Sequence, residues 1–187
     1  DIIKARRNSA EFHADLLSML MAATDEETNA KLTDIELRDE VMTMFIAGHD
    51  TTAVALTWAI YLISKHPEVE EKIVKEIKEN FKGESLTMAD LRNFQYTRMV
   101  IQEVMRLYPP VWTFGRKTLK DDEVNGYYFP ANTYLTMPSL FVHRNPEFWE
   151  KPDDFYPEHF LPEKVKERNK HAYYPFSAGQ HLCIGEH

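Results

Sequence analysis

Phe176-Ser-Ala-Gly-Gln-His-Leu-Cys-Ile-Gly185 is the stretch on which the reading of this chain turns. It carries the only cysteine, Cys183, with glycines at 179 and 185 on either side. Glycines in those places let the backbone fold tightly around the sulfur, and turned amides aimed at it would stabilise a thiolate able to bind a metal. The competing reading is a buried, inert cysteine in a loop. Zinc would call for further cysteines or clustered histidines, and the histidines here are scattered. A single thiolate suits haem iron, which takes one protein ligand from one face.

Working outward, the second informative stretch is Met44-Phe-Ile-Ala-Gly-His-Asp-Thr-Thr52, in the middle of a long helical pattern. Gly48 costs about 1 kcal/mol in a helix interior, and Asp50, Thr51 and Thr52 interrupt an otherwise apolar run. A threonine hydroxyl can bond back to a carbonyl one turn earlier, which beside a glycine opens the helix into a groove able to hold a small polar ligand and relay protons. A solvated face with a tolerated glycine is the alternative.

Composition narrows the class. The 187 residues include 22 Lys and Arg against 30 Asp and Glu, a net charge of -8, which disfavours phosphate-based binding of nucleic acid. With 43% hydrophobic and 12% aromatic residues the chain can bury a core of one ordinary domain. A lone cysteine favours a reducing compartment. The longest apolar stretch, Ala53 to Ile63, falls short of the roughly 20 residues a membrane span needs. The opening DIIKARRNSAEF has no initiator Met and no apolar signal core, so it reads as the middle of a longer chain, with any membrane anchor upstream. The expected location is intracellular: cytoplasmic for a bacterial protein, or membrane-anchored through such an upstream segment.

Apolar periodicity predicts a helix over 11–22 through Phe12, Leu16, Leu17, Leu20 and Met21, broken by the polar TDEETNAK. Thr33 and Glu36 have capping-box spacing, and nothing stops the next helix before His66-Pro67, giving about 32 residues and roughly 48 Å. Pro67, the series Val69, Ile73, Ile77 and Phe81, and Gly83 outline an amphipathic helix, with Glu68–Lys72 and Glu71–Lys75 as supporting pairs. Another helix is expected from Phe94 to Tyr108, stopped by Pro109-Pro110. Val111 to Met137 reads as a small antiparallel sheet with Asn125-Gly126 as a hairpin turn. Pro138 to Pro175 reads as a packed meander with one short helix at Asn145 to Trp149.

Glu103 and Arg106, at i, i+3 on the Phe94–Tyr108 helix, would alone signify no more than a surface ion pair. Order along the chain changes that. AGHDTT at 47–52, EVMR at 103–106, FYPEHF at 155–160 and FSAGQHLCIG at 176–185 occur in the sequence and spacing of the cytochrome P450 family, and the chain resembles the carboxy-terminal half of such a haem-thiolate monooxygenase.

The resemblance implies a mainly α fold with a small β portion, incomplete because the amino-terminal half and the helix after the cysteine loop are missing. Residues 1–187 would form the carboxy-terminal part of a single domain. It implies haem b (iron protoporphyrin IX) with Cys183 as axial thiolate and metal ligand. Asp50 and Thr51 match the acid and alcohol that deliver protons to dioxygen, and Ala47 and Gly48 the widened groove beside them. Phe176 matches an aromatic packed near the cysteine, Gly179 and Gly185 the turn glycines, and Arg116 a propionate-pairing arginine. Glu103 and Arg106 match a buried pair that pins the meander. His181 stands where many members carry a propionate-binding Arg, so pairing there depends on imidazole protonation. His159 replaces the Arg of the usual third partner, so that contact is weakened or recast as a hydrogen bond.

Met44, Phe45, Val111, Trp112, Thr113 and Phe114 flank these motifs and are expected to line an apolar substrate pocket. The implied reaction inserts one atom of O2 into an apolar organic substrate, with electrons from a reductase or ferredoxin. Two other readings share these residues: a peroxide-dependent haem-thiolate enzyme, and a fragment without independent activity.

Overall fold

The computed structural model describes residues 2–9, 13–81, 83 and 85–186. It comprises two compact units, Asp1–Asp50 and Thr51–His187. In the first, α1 (Ile2–Arg7) and α2 (Leu16–Ala22) precede the opening half of α3 (Asp34–Lys65). α2 starts later than periodicity suggests because Asp15 caps it, accepting the Ser18 amide at 2.9 Å. That amide, together with Arg6 at 2.8 Å, holds the Asp15 carboxyl down at about 2. Phe12 lies outside the described residues. The polar TDEETNAK closes on itself, bridging Thr24 to Lys31 around Asp25, which accepts the Thr28 amide at 2.7 Å. α3 begins with the reciprocal cap: the Thr33 amide reaches Glu36 at 2.8 Å, and the Glu36 amide reaches Thr33 Oγ1 at 3.3 Å. It runs the expected 32 residues and stops before His66-Pro67.

The second unit is built around α5 (Gln95–Leu107). Ala59 and Leu62 of α3 meet Val104 and Leu107 of α5, flanked by Trp58, Ile101, Tyr108 and Phe155. Trp58 and Tyr108 stack at 3.9 Å between ring centroids. α4 (Pro67–Asn80) follows its proline start as predicted. Lys75 pairs along the helix with Glu79 at 3.9 Å, whereas two other polar side chains reach across the fold. The Lys72 ammonium goes to Glu158 at 2.6 Å instead of to Glu68, and that carboxylate holds it above its usual range. Glu76 takes three donors from the start of α5: the Tyr96 amide at 2.6 Å, the Thr97 amide at 2.8 Å and the Thr97 hydroxyl at 2.7 Å. α5 has no capping side chain of its own, so a neighbouring helix supplies the acceptor that its first amides lack.

After Pro109-Pro110 the chain forms two separate two-stranded ladders instead of one sheet. β1 (Phe114–Lys117) pairs antiparallel with β4 (Tyr134–Met137), with Arg116 opposite Leu135. Between them β2 (Asp122–Val124) and β3 (Tyr127–Phe129) form the expected hairpin, its turn made by Asn125 at φ 53° and Gly126 at φ 81°. In the meander α6 (Ser139–Val142) comes before the expected short helix. Asn145–Trp149 itself makes a single turn, with the Phe148 and Trp149 amides both on the Asn145 carbonyl at 3.0 and 3.1 Å. A 3-10 turn at Pro157–Phe160 leads into α7 (Pro162–Glu167), and two more 3-10 turns, Gly179–His181 and Ile184–Glu186, bracket Cys183. Among the described residues no helix is long and apolar enough to cross a membrane.

The two cross-fold contacts of α4 should differ in weight. Glu76→Ala is expected to lower stability by about 1–2 kcal/mol, because three donors lose their acceptor. Lys72→Ala, which breaks an exposed pair, should cost under about 0.5 kcal/mol. Urea unfolding midpoints at unchanged m-value check this, and equal losses would contradict it.

Candidate functional site

An oppositely charged pair, Glu103 and Arg106, is fully enclosed in the second unit, both residues 0% exposed. Their helical i, i+3 spacing sets guanidinium against carboxylate in a two-point pair: Arg106 Nε and Nη2 each donate to Glu103 at 2.7 Å. The remaining donors of Arg106 go to the meander backbone, to the carbonyls of His143 at 2.8 Å, Pro152 at 2.6 Å and Asp154 at 3.0 Å. Glu103 in turn accepts the Tyr156 amide at 2.9 Å. Loop backbone that would otherwise bury unpaired groups is thus satisfied by one ion pair.

His159 is recast as a hydrogen-bonding partner of that pair. Its Nδ1 lies 3.1 Å from Glu103 Oε1, and its Nε2 lies 2.5 Å from the Glu150 carbonyl. Both ring nitrogens face oxygen atoms, so the position expected to hold a weakened third partner is filled by a hydrogen-bonded histidine. Trp149, 1% exposed, is approached by two guanidinium groups, Arg106 at 4.9 Å and Arg168 at 3.8 Å from its ring. Arg168 also donates to the His159 carbonyl, and burial pulls its guanidinium below the usual range.

Cys183 sits exposed as a free thiol, which removes the reading of a buried inert cysteine. Its loop is curved by Ser177 at φ 68° and Gly179 at φ 76°. For Gly179 this is easy backbone, whereas a serine held there marks a strained position kept by its surroundings. Two backbone bonds hold it: the Ser177 amide donates to the Tyr174 carbonyl at 3.2 Å and the Cys183 amide to the Phe176 carbonyl at 3.0 Å. Arg116 of β1 reaches in, its Nη2 donating to Ser177 Oγ at 3.2 Å. Among the described residues no amide donates to the sulfur, so the expected nest of amides is not formed around Sγ. Phe176 is half-buried, Gly179 and His181 are exposed, and a Cβ on Gly185 would stand 3.7 Å from Sγ.

The other expected site residues lie on α3 and before β1. α3 is α-helical throughout Gly48–Thr52. Further along it, Thr57 Oγ1 donates to the Ala53 carbonyl at 2.7 Å. Ala47, Gly48 and Asp50 are exposed, Thr51 is half-buried, and Asp50 Oδ1 pairs with His49 Nδ1 at 3.0 Å. Met44 is half-buried and Phe45 is exposed, stacked on His49. Val111 and Trp112 are exposed, while Thr113 and Phe114 are half-buried.

These residues fit a haem. An accessible lone sulfur on a tight loop, with an arginine of β1 anchored on that loop and retaining further donors, matches one axial ligand plus a carboxylate partner. Among the described residues no group of three His, Cys, Asp or Glu side chains could hold a metal ion.

Sequence reasoning did not single out His143, Trp149, Arg168 or Ser177. None belongs to a periodic face, and each acts through backbone or ring contacts set by loop geometry. His143 is 0% exposed, its Nε2 accepts the Tyr174 amide at 3.0 Å, and burial, then the Arg106 charge, pull its ring down to about 4. Unfolded chains take up that proton near 6.5, so the folded state's advantage is complete above that pH and declines as pH falls toward 4. Between pH 7 and 5 the native protein is expected to lose about 2 kcal/mol more stability than a His143→Gln variant. Thermal melts at the two pH values measure the difference, and identical acid sensitivity would contradict it.

The family model described as Cytochrome P450 matches residues 2–187. The chain is 42% identical over 186 residues to cyclooctat-9-en-7-ol 5-monooxygenase of Streptomyces melanosporofaciens, covering 100% of this chain and 40% of that protein. To cytochrome P450 4V2 of Homo sapiens it is 40% identical over 173 residues, covering 91% and 33%. Among solved structures, retinoic acid bound cyanobacterial CYP120A1 superposes with a TM-score of 0.92 at 32% identity, covering 98% of this chain and 42% of that one. The chain thus spans about two fifths or less of the length of these relatives. Over that span, with its buried Glu103–Arg106 pair and exposed Cys183, it belongs to the cytochrome P450 family.

Proposed function

We propose that the protein is a haem-thiolate monooxygenase that inserts one oxygen atom from O2 into an apolar organic substrate, and that residues 1–187 are the carboxy-terminal part of its single catalytic domain. The observation that carries this reading is the exposed Cys183 thiol on a loop that Arg116 also grips. Haem b, when bound, would supply the oxygen-activating chemistry, and the Cys183 sulfur would hold its iron. The protein's own residues do the rest. Arg116 and His181 pair with the propionates as charge-assisted donors. Phe176 packs beside the cysteine, and Gly179 and Gly185 keep its approach free of side chains.

Ala47 and Gly48 keep a stretch of α3 free of bulky side chains. Asp50 and Thr51, consecutive on the same helix, hold and pass protons, the carboxyl as acid and the hydroxyl as relay. Met44 and Phe45 on α3, and separately Val111, Trp112, Thr113 and Phe114 leading into β1, offer largely apolar side chains suited to a hydrophobic substrate. Electrons come from a reductase or ferredoxin. The name of one relative, a monooxygenase of cyclooctat-9-en-7-ol, supports an oxygen insertion of this kind.

Reduction of the haem-loaded protein under carbon monoxide should give the absorption band of a thiolate-ligated haem, and Cys183→Ser should abolish it. Turnover should run with a reductase and O2. A missing band in the unsubstituted protein would sink the Cys183 assignment, and turnover with peroxide alone would replace the monooxygenase reading.

A further inference from the structure

His143 is a buried titratable residue to which none of the reactions above gives a role. Its backbone carbonyl is one of the oxygens gripped by Arg106, at 2.8 Å. Its side chain points the other way in bonding terms: Nε2 lies 3.0 Å from the Tyr174 amide, two residues before Phe176. An amide nitrogen only donates, so Nε2 must be the bare, accepting nitrogen and the ring's one proton must sit on Nδ1. Nδ1 itself is buried with no hydrogen-bond partner among the described residues.

That orphaned donor makes the histidine informative. The ring packs against Tyr173 and Tyr174 at 5.2 and 5.4 Å between centroids, a place that phenylalanine would fill without the unpartnered Nδ1 but with the Tyr174 amide left unpaired. What histidine adds over phenylalanine is the acceptor on Nε2. The amide it holds lies at the head of the cysteine loop: the Tyr174 carbonyl takes the Ser177 amide at 3.2 Å, Arg116 braces Ser177 at 3.2 Å, and the Phe176 carbonyl takes the Cys183 amide at 3.0 Å. One residue therefore joins the Arg106 anchor to the loop that presents the sulfur.

We propose that His143 is a positioning residue for Cys183: its neutral ring, accepting the Tyr174 amide on Nε2, fixes where the cysteine loop begins. The consequence for function rests on the reading of Cys183 as the iron ligand, whereas the hydrogen bond and tautomer do not. Burial and the Arg106 charge, which keep the ring unprotonated near neutral pH, are consistent with it.

The test uses the haem-loaded protein with His143→Phe, which keeps the ring packing and removes the acceptor, and His143→Gln, whose carbonyl oxygen replaces Nε2. His143→Phe is expected to exchange the Tyr174 amide about tenfold faster and to lose the thiolate-type carbon monoxide band about tenfold faster on standing. His143→Gln should stay within about twofold of the unsubstituted protein on both counts. In the unsubstituted protein, nitrogen-15 spectra of the histidines should show His143 neutral with its proton on Nδ1, a readout that needs no variant to fold. An imidazolium or an Nε2–H tautomer would overturn the proposal. So would a Phe variant indistinguishable from the unsubstituted protein, or Phe and Gln variants equally impaired. Absence of a thiolate-type band from the unsubstituted protein would instead count against Cys183, while Tyr174 exchange and the tautomer still judge His143.

Discussion

A fully buried ion pair, Glu103 with Arg106, is the constraint on which the second unit depends. Desolvating two charges is costly, and burial is tolerable only when every remaining donor and lone pair is used. Here they are used on the meander: three backbone carbonyls on the arginine, one amide and the His159 ring on the glutamate. The pair is a poor source of net stability and a strong source of specificity, because removing either partner strands the other's charge in the interior. A meander with little regular structure is thereby given one conformation.

That conformation determines the chemistry available to the cysteine. Arg106 fixes the backbone at His143, the His143 ring fixes the backbone at Tyr174, and Arg116 fixes Ser177 in its left-handed conformation. Two buried histidines near one guanidinium thus face different partners. His159 faces two oxygen atoms, while His143 faces a donor and accepts on Nε2. Residue type alone does not distinguish them.

Much of this was legible in the sequence wherever a local rule decides the outcome. The Thr33–Glu36 box and His66-Pro67 bound α3 correctly, and Asn125-Gly126 marks its turn, because caps, prolines and left-handed turn positions act over a few residues. Family order along the chain identified Glu103, Arg106 and Cys183. What was not legible depends on residues far apart in sequence. Lys72 finds Glu158 and Glu76 caps α5 because α4 packs there, and neither partner lies one helical turn away. The short helices α6 and α7 and the single turn at Asn145 are too brief to show periodicity. α3 continues as helix through Gly48, because a single glycine weakens a helix without obliging it to break.

Native-state hydrogen exchange under increasing denaturant tests the central claim most directly, by comparing the amide of Tyr156, which donates to Glu103, with amides in the middle of α5. If the buried pair makes helix and meander one cooperative unit, Tyr156 and α5 open with the same free energy and the same denaturant dependence. Exchange of Tyr156 through a separate opening of much lower free energy, with α5 still closed, would contradict the account.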